Sequence, residues 1–254
     1  MADRDIVIIK VGTGVLTRDD GTLDAASLSR LAMAVADLCG PDRRCIVVSS
    51  GAVGAGISAL GLNEYPREVS ERQAAAAVGQ TRLMHAYETV LRNFGVSVAQ
   101  LLLTGGDLEA DDRRKRISDT LQRLLAEDGI VPIINENDSV AVEELSFGDN
   151  DRLSAQVAQL VGARLLVMLT CVDGLYPPGV GQILDVVEDV DAVLDYSDGG
   201  KGRFSMGGMA GKLQAVKLAV DAGVETVIAN GRHPERLKDI VADGGIATRF
   251  LARR

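Results

Sequence analysis

Short runs of aliphatic and β-branched residues alternate along the chain with longer stretches in which apolar residues recur every three or four positions. The runs read as buried strands and the stretches as amphipathic helices. Ile6 to Ile9 opens the series. Asp24 then stands as the N-cap of a helix that carries Leu28, Leu31, Val35 and Leu38 along one face, and Ile46 to Val48 forms a second strand. The spacing predicts a helix from about Glu68 to Asn93, a strand from Val96 to Leu103 and a helix from Ile117 to Leu125. It continues with a strand over Ile130 to Ile134, a helix over Asp151 to Val161 and a strand over Leu165 to Leu169. Helices near Asp189 to Leu194 and Met209 to Ala222, with strands at Thr226 to Ala229 and Ile246 to Leu251, complete the pattern.

Such unbroken alternation predicts an α/β fold with a largely parallel central sheet and helices on its faces. Neither a Pro- or Ser-rich linker nor an internal repeat interrupts it, so residues 1–254 are expected to form a single domain. Gly162 closes one helix before a new strand-led series begins, which sets the expected division into two closely packed lobes, 1–162 and 163–254.

Composition narrows the function. A chain of 254 residues that is 46% hydrophobic buries enough surface to fold without disulfides or metal. Aromatic residues supply only 3% and the formal net charge is −9, which argues against a base-stacking nucleic-acid binder. The N-terminus carries no secretory pattern and no apolar run approaches the ~18 residues of a membrane span, so a cytoplasmic protein is expected. Cys39, Cys45 and Cys171 are odd in number and lack metal-ligand spacing, and they read as buried small hydrophobic residues in a reducing compartment.

Ligands of open α/β sheets bind beyond the carboxyl ends of the strands. Four such ends carry polar or glycine-rich sequence: Lys10 to Gly14, Ser49 to Gly54, Asn135 to Asp138 and Thr170 to Tyr176. Lys10 is either a strand-end lysine snorkelling to water or an ammonium placed for a phosphate beside Gly12. Lysine is scarce here, six against 21 arginines, so a compact point charge stands where arginine is the habitual choice. Ser50, Gly51 and Ala52 offer a hydroxyl and backbone N–H groups to a carboxylate or phosphate. The formal Gly54-x-Gly56-x-x-Ala59 match to a dinucleotide fingerprint fails, because no strand-terminal acid follows at the required distance.

Asn135 to Asp138 and Gly148 to Asp151 are turns by composition, or two acid-and-amide turns that hold an amino group and orient lysines. Asp151 by itself is equally an ordinary acid at a helix N-terminus. The stretch from Gly199 to Lys212 opens a helix and has the glycines of a phosphate-covering loop, but Met206 and Leu213 break the strict P-loop pattern. His85 and His233 have no partner that suggests a triad or metal, and Arg113 to Arg116 reads as a solvated approach to a helix.

Taken together the chain resembles the amino acid kinase family. The matching stretches are Lys10-Val-Gly-Thr, Ser49-Ser-Gly-Ala, Gln100-Leu-Leu-Leu-Thr104, Ile133-Ile-Asn-Glu-Asn-Asp138, Gly148-Asp-Asn-Asp151, Asp173-Gly-Leu-Tyr176 and Gly207-Gly-Met-Ala-Gly-Lys212. They are most similar to the branch that phosphorylates the γ-carboxylate of L-glutamate at the start of proline synthesis.

The resemblance implies a three-layer α/β/α sandwich, with glutamate in the first lobe and ATP, as its Mg²⁺ complex, in the second. It implies a catalytic set of Lys10, Lys212 and Asp151, and a glutamate site of Ser50, Gly51, Ala52, Asn135, Asp138 and Asn150. For ATP it implies Lys10, Gly12, Thr170, Cys171, Asp173, Tyr176, Gly207, Gly208, Met209 and Lys212, with no protein side chain assigned to metal. Proline feedback and a homo-oligomer, dimer or tetramer, are implied likewise, with no nucleic-acid or membrane partner.

Two departures stand out. Cys171 occupies a position where the family usually has an acid, and the chain stops at Arg254 where many members append a PUA domain, so a form without that domain is expected. Two alternatives stay open: a non-catalytic ligand sensor or storage protein on the same fold, and a kinase for UMP or N-acetylglutamate.

Overall fold

The computed structural model describes residues 5–62, 64–140, 149–196 and 208–253. The chain opens with β1 (Asp5–Val11), a single turn α1 (Thr13–Leu16), α2 (Ala25–Leu38) and β2 (Arg43–Ser49). Two helices packed on each other follow, α3 (Ala52–Leu60) and α4 (Val69–Leu91), then β3 (Ser97–Leu103), α5 (Gly105–Glu109), α6 (Asp111–Ala126) and β4 (Ile130–Glu136). Beyond them lie α7 (Asp149–Val161), β5 (Leu165–Thr170), β6 (Val186–Val187), α8 (Gly208–Asp221), β7 (Glu225–Asn230), α9 (Leu237–Val241) and β8 (Ala247–Phe250).

The eight strands form one sheet in the order β3-β4-β2-β1-β5-β7-β8-β6. All pairs are parallel except β7 with β8. The strands that precede residue 162 fill one half of the sheet and those that follow fill the other, with β1 and β5 meeting at the middle. Four of these strands, β4, β2, β1 and β5, are consecutive and parallel, so their carboxyl ends line one stretch of a single rim.

Strand parity sorts the core into two layers. Val7, Ile9 and Val11 of β1 face α2, α4 and α9, whereas Ile8 faces α6, α7 and α8. Asp24 caps α2 by accepting from Ala26 N, and the Leu28, Leu31, Val35 and Leu38 face is buried. Among the described residues no helix is long and apolar enough to cross a membrane.

Where the sequence reading differs, a specific signal was lacking. Helix α3 lies within the glycine-rich Ser49 to Gly54 loop and beyond it, where glycine lowers helix propensity and masks the pattern. Helix α6 starts at Asp111, and the Arg113 to Arg116 run lies within it; these residues are exposed, so no apolar period marks them. Residues 190–193 form a 3₁₀ turn instead of an α-helix. Cys171 is exposed and Cys39 only partly covered, so Cys45 alone is a buried small hydrophobic residue. Cys171 follows the last residue of β5, beyond the buried part of the strand.

Candidate active site

Lys10 occupies the next-to-last position of β1, two residues from Ile8, and parity therefore turns it to the α7 and α8 side. There Asp151, in the first turn of α7, meets Lys212, the fifth residue of α8. Lys10 Nζ lies 2.5 Å from Asp151 Oδ1, and Lys212 Nζ lies 3.1 Å from Asp151 Oδ2. Relative exposures of 4%, 3% and 8% for Lys10, Asp151 and Lys212 place this trio out of bulk water, where like charges are costly unless neutralised.

Its electrostatics follow from burial and from the counting of charges. Burial raises the Asp151 carboxyl, but the attraction of Lys10 and Lys212 and their hydrogen bonds outweigh it and hold the group below its ordinary value. Lys10 is lowered by burial first, which the pull of Asp151 offsets in part and the like charge of Lys212 reinforces. Two cations on one anion leave a net positive charge at the rim, a built environment for an anion.

A polar chain runs beside the trio. Asn150 Nδ2 donates to Ser50 Oγ at 3.1 Å and to Asn135 Oδ1 at 2.9 Å, and its Oδ1 accepts from Glu136 N at 3.1 Å. Asn135 Nδ2 in turn donates to Gln80 Oε1 at 2.9 Å. Gly51, with φ 102°, makes the left-handed turn between β2 and α3, and no side chain caps the N-terminus of that helix. Ser50, to which Asn150 donates, therefore stands immediately before the N-cap of α3. Asp138 sits in the turn after β4, half-buried, where its charge and the burial of the phenol both raise Tyr65.

The remaining candidates line the second half of the rim. Gly12 donates its N–H to Leu169 O at 3.0 Å, and a Cβ there would stand 3.9 Å from Lys10 Nζ. Thr170 ends β5, and Cys171 Sγ packs against Gly14, where an added Cβ would approach it to 2.8 Å. Asp173 accepts from Asn230 Nδ2 at 3.1 Å. Tyr176 and Tyr196 line a cavity of about 620 Å³ together with Pro177, Pro178 and Val180. Gly208 and Met209 open α8, and Lys212 Nζ also reaches Gly208 O at 3.5 Å. Gly207 and Gly148 lie outside the described residues.

The structure thus brings Lys10, Asp151 and Lys212 together, and separately joins Ser50, Asn135 and Asn150. Asp173 and Tyr176 make their described contacts elsewhere, Asp173 with Asn230 and Tyr176 in the cavity it lines with Tyr196. Two residues that sequence reasoning passed over are bonded to candidates, Gln80 to Asn135 and Asn230 to Asp173. Gln80 had a signal, being the polar member of the otherwise apolar buried stripe Ala76, Leu83, Tyr87 and Leu91 on α4. Among the described residues no group of three or more His, Cys, Asp or Glu is arranged to hold a metal ion. His85 is exposed, and His233 is exposed beside Glu235.

Comparisons with known proteins show which proteins the chain is similar to. The sequence profile of the amino acid kinase family matches residues 5–230. The chain is 47% identical to the glutamate 5-kinase of Symbiobacterium thermophilum, over 96% of this chain and 95% of that one. With the glutamate 5-kinase of Clostridium acetobutylicum it shares 42% identity, over 97% and 94% of the two chains. A longer relative, the glutamate 5-kinase of Geobacter sp., is 46% identical and covered over 67% of its length. In fold the chain is similar to the UMP kinase of Ureaplasma parvum, with a TM-score of 0.63 at 13% identity over 98% of this chain and 99% of the other.

Proposed function

The chain belongs to the amino acid kinase family, and we propose that it transfers the γ-phosphoryl of ATP to the side-chain carboxylate of L-glutamate, giving L-glutamyl 5-phosphate and ADP. This is the reaction that opens proline synthesis. The observation that carries the reading is the buried Lys10–Asp151–Lys212 trio, set beside a chain of uncharged hydrogen-bonding groups at the end of the neighbouring strands.

The chemistry asks for such a trio. Phosphoryl transfer to a carboxylate brings two anions together, so the barrier falls mainly through positioning and through cations at the transferred group's oxygens. In this reading Lys10 and Lys212 flank the phosphoryl. Asp151 does not touch it but holds both ammonium groups at fixed spacing, and no general base is needed because an ionised carboxylate is already nucleophilic. Mg²⁺ suits a site whose metal rides on nucleotide phosphates with few protein ligands, and it would neutralise phosphate charge there.

Ser50, Gly51, Ala52, Asn135 and Asn150 hold the acceptor in this proposal, with Asp138 as partner of its ammonium group. Lys10, Gly12, Thr170, Cys171, Asp173, Tyr176, Gly207, Gly208, Met209 and Lys212 take the nucleotide. The lobes 1–162 and 163–254 then divide acceptor from donor. Proline feedback, homo-oligomeric assembly and a cytoplasmic setting belong to the same proposal and rest on the family resemblance.

The polar chain contains no arginine, the residue a nucleotide-monophosphate acceptor would call for. Calorimetric titration of the protein with L-glutamate, N-acetyl-L-glutamate and UMP tests the acceptor directly. Saturable binding of L-glutamate alone is expected, and preferential binding of UMP would overturn the reading.

A further inference from the structure

The polar chain beside the trio has a direction, and that direction can be read from one fixed end. A backbone N–H only donates, so the Asn150 amide atom facing Glu136 N is its oxygen. Nδ2 of Asn150 must then face Ser50 Oγ and Asn135 Oδ1. With its oxygen engaged, Asn135 offers Nδ2, which meets Gln80 Oε1. Gln80 therefore ends the chain with an NH₂ group, and this Nε2 is buried with no partner among the described residues.

Leaving such a group unpaired is costly, and the cost is unexplained by packing. Gln80 is only 8% exposed and stands in the apolar stripe of α4, where leucine would fill the same space without an orphan donor. Its surroundings supply a second observation. The preceding residue, Gly79, lies so close to the first turn of α3 that an added Cβ would stand 1.8 Å from Ala52 O. Gln80 is thereby anchored next to the N-terminus of α3, whose N-cap, Gly51, has no side chain with which to cap it.

We propose that Gln80 is a substrate-binding residue whose Nε2 donates to a carboxylate oxygen of the acceptor amino acid. The inference rests on the reading of the site as one for L-glutamate. It assigns to Gln80 two tasks: Oε1 fixes the rotamer of Asn135, and Nε2 contacts the substrate.

Two variants separate the tasks. Gln80→Glu keeps an oxygen for Asn135 but replaces the donor with a second acceptor, whereas Gln80→Leu removes both. At about pH 8, Gln80→Glu is expected to raise the Kd and KM for L-glutamate by at least ~tenfold while leaving the KM for ATP close to wild type. Lowering the pH to about 6 should recover part of the affinity, because a buried introduced carboxyl takes up a proton and regains a donor.

Wild-type affinity for L-glutamate in Gln80→Glu overturns the inference and leaves the function standing. A fall in kcat and melting temperature with an unchanged glutamate KM also overturns it, because that pattern belongs to a structural role. Failure of the wild-type protein to bind L-glutamate overturns both readings.

Discussion

Lys10 and Lys212, one near each end of the chain, take opposite oxygens of a single carboxylate, Lys10 on Oδ1 and Lys212 on Oδ2 of Asp151. The spacing of the two ammonium groups is therefore set by the width of a carboxylate group. Replacing Asp151 by Asn removes the carboxylate that pairs with both of them at this buried place. Asp151→Asn is expected to lose ~3–5 kcal/mol of stability, as for a broken buried pair. A loss of at least ~100-fold in kcat should accompany it if the lysines flank the transferred group. Denaturant unfolding and steady-state kinetics on the same preparation check both.

The trio also makes the identity of each cation matter. Arginine keeps the charge but spreads it over a planar fork that does not fit the space of an ammonium. Lys10→Arg and Lys212→Arg are each expected to lower kcat by ~10²-fold or more while leaving the fold intact by circular dichroism. Retention of full activity in either variant would show that net charge alone suffices.

The titration behaviour has a defined sign. Burial and the charge of Lys212 put Lys10 below the ordinary lysine value of 10.5. If the charged form is required, kcat/KM falls on the alkaline side with an apparent pKa under 10.5, and the limb vanishes in Lys10→Arg.

Asp151 works in the opposite direction. Its carboxyl is held below 3.8, so its contribution to stability is present above that value and is lost as pH falls through the lowered folded-state pKa. Wild type minus Asp151→Asn stability, measured across acidic pH, should shrink only in that window.

Helices α3 and α4 cross at their glycines. A Cβ at Gly79 would stand 1.8 Å from Ala52 O, and one at Gly56 would stand 1.9 Å from Ala75 O. Gly79→Ala must push the helices apart at the start of α3. It is expected to cost ~1–3 kcal/mol and to raise the KM for L-glutamate more than that for ATP, because Ser50 to Ala52 moves with α3. Thermal melts together with the two KM values test this.

The fold class was legible because β1, β2, β4 and β5 are buried on both faces and write themselves as unbroken aliphatic runs. Lys10 was legible for the same reason, as a charge at the end of such a run followed by glycines. Helix α3 was not, since its glycines serve the crossing with α4 and erase the apolar period. Gln80 was missed because its meaning lies in contacts with Asn135 and α3, far away in sequence. Cys171 was misread because a strand's last buried residue and the first residue on the rim look alike in a list of small apolar side chains. The glycines at 199–207 lie outside the described residues, so the structure adds nothing to their reading.

A carboxylate acceptor yields an acyl phosphate, and hydroxylamine intercepts an acyl phosphate. The purified protein incubated with Mg-ATP, L-glutamate and hydroxylamine should form glutamyl hydroxamate, with none from N-acetyl-L-glutamate and none in the Lys10→Ala variant. Hydrolysis of ATP without a glutamate-dependent hydroxamate, or phosphorylation of UMP in its place, would contradict the account.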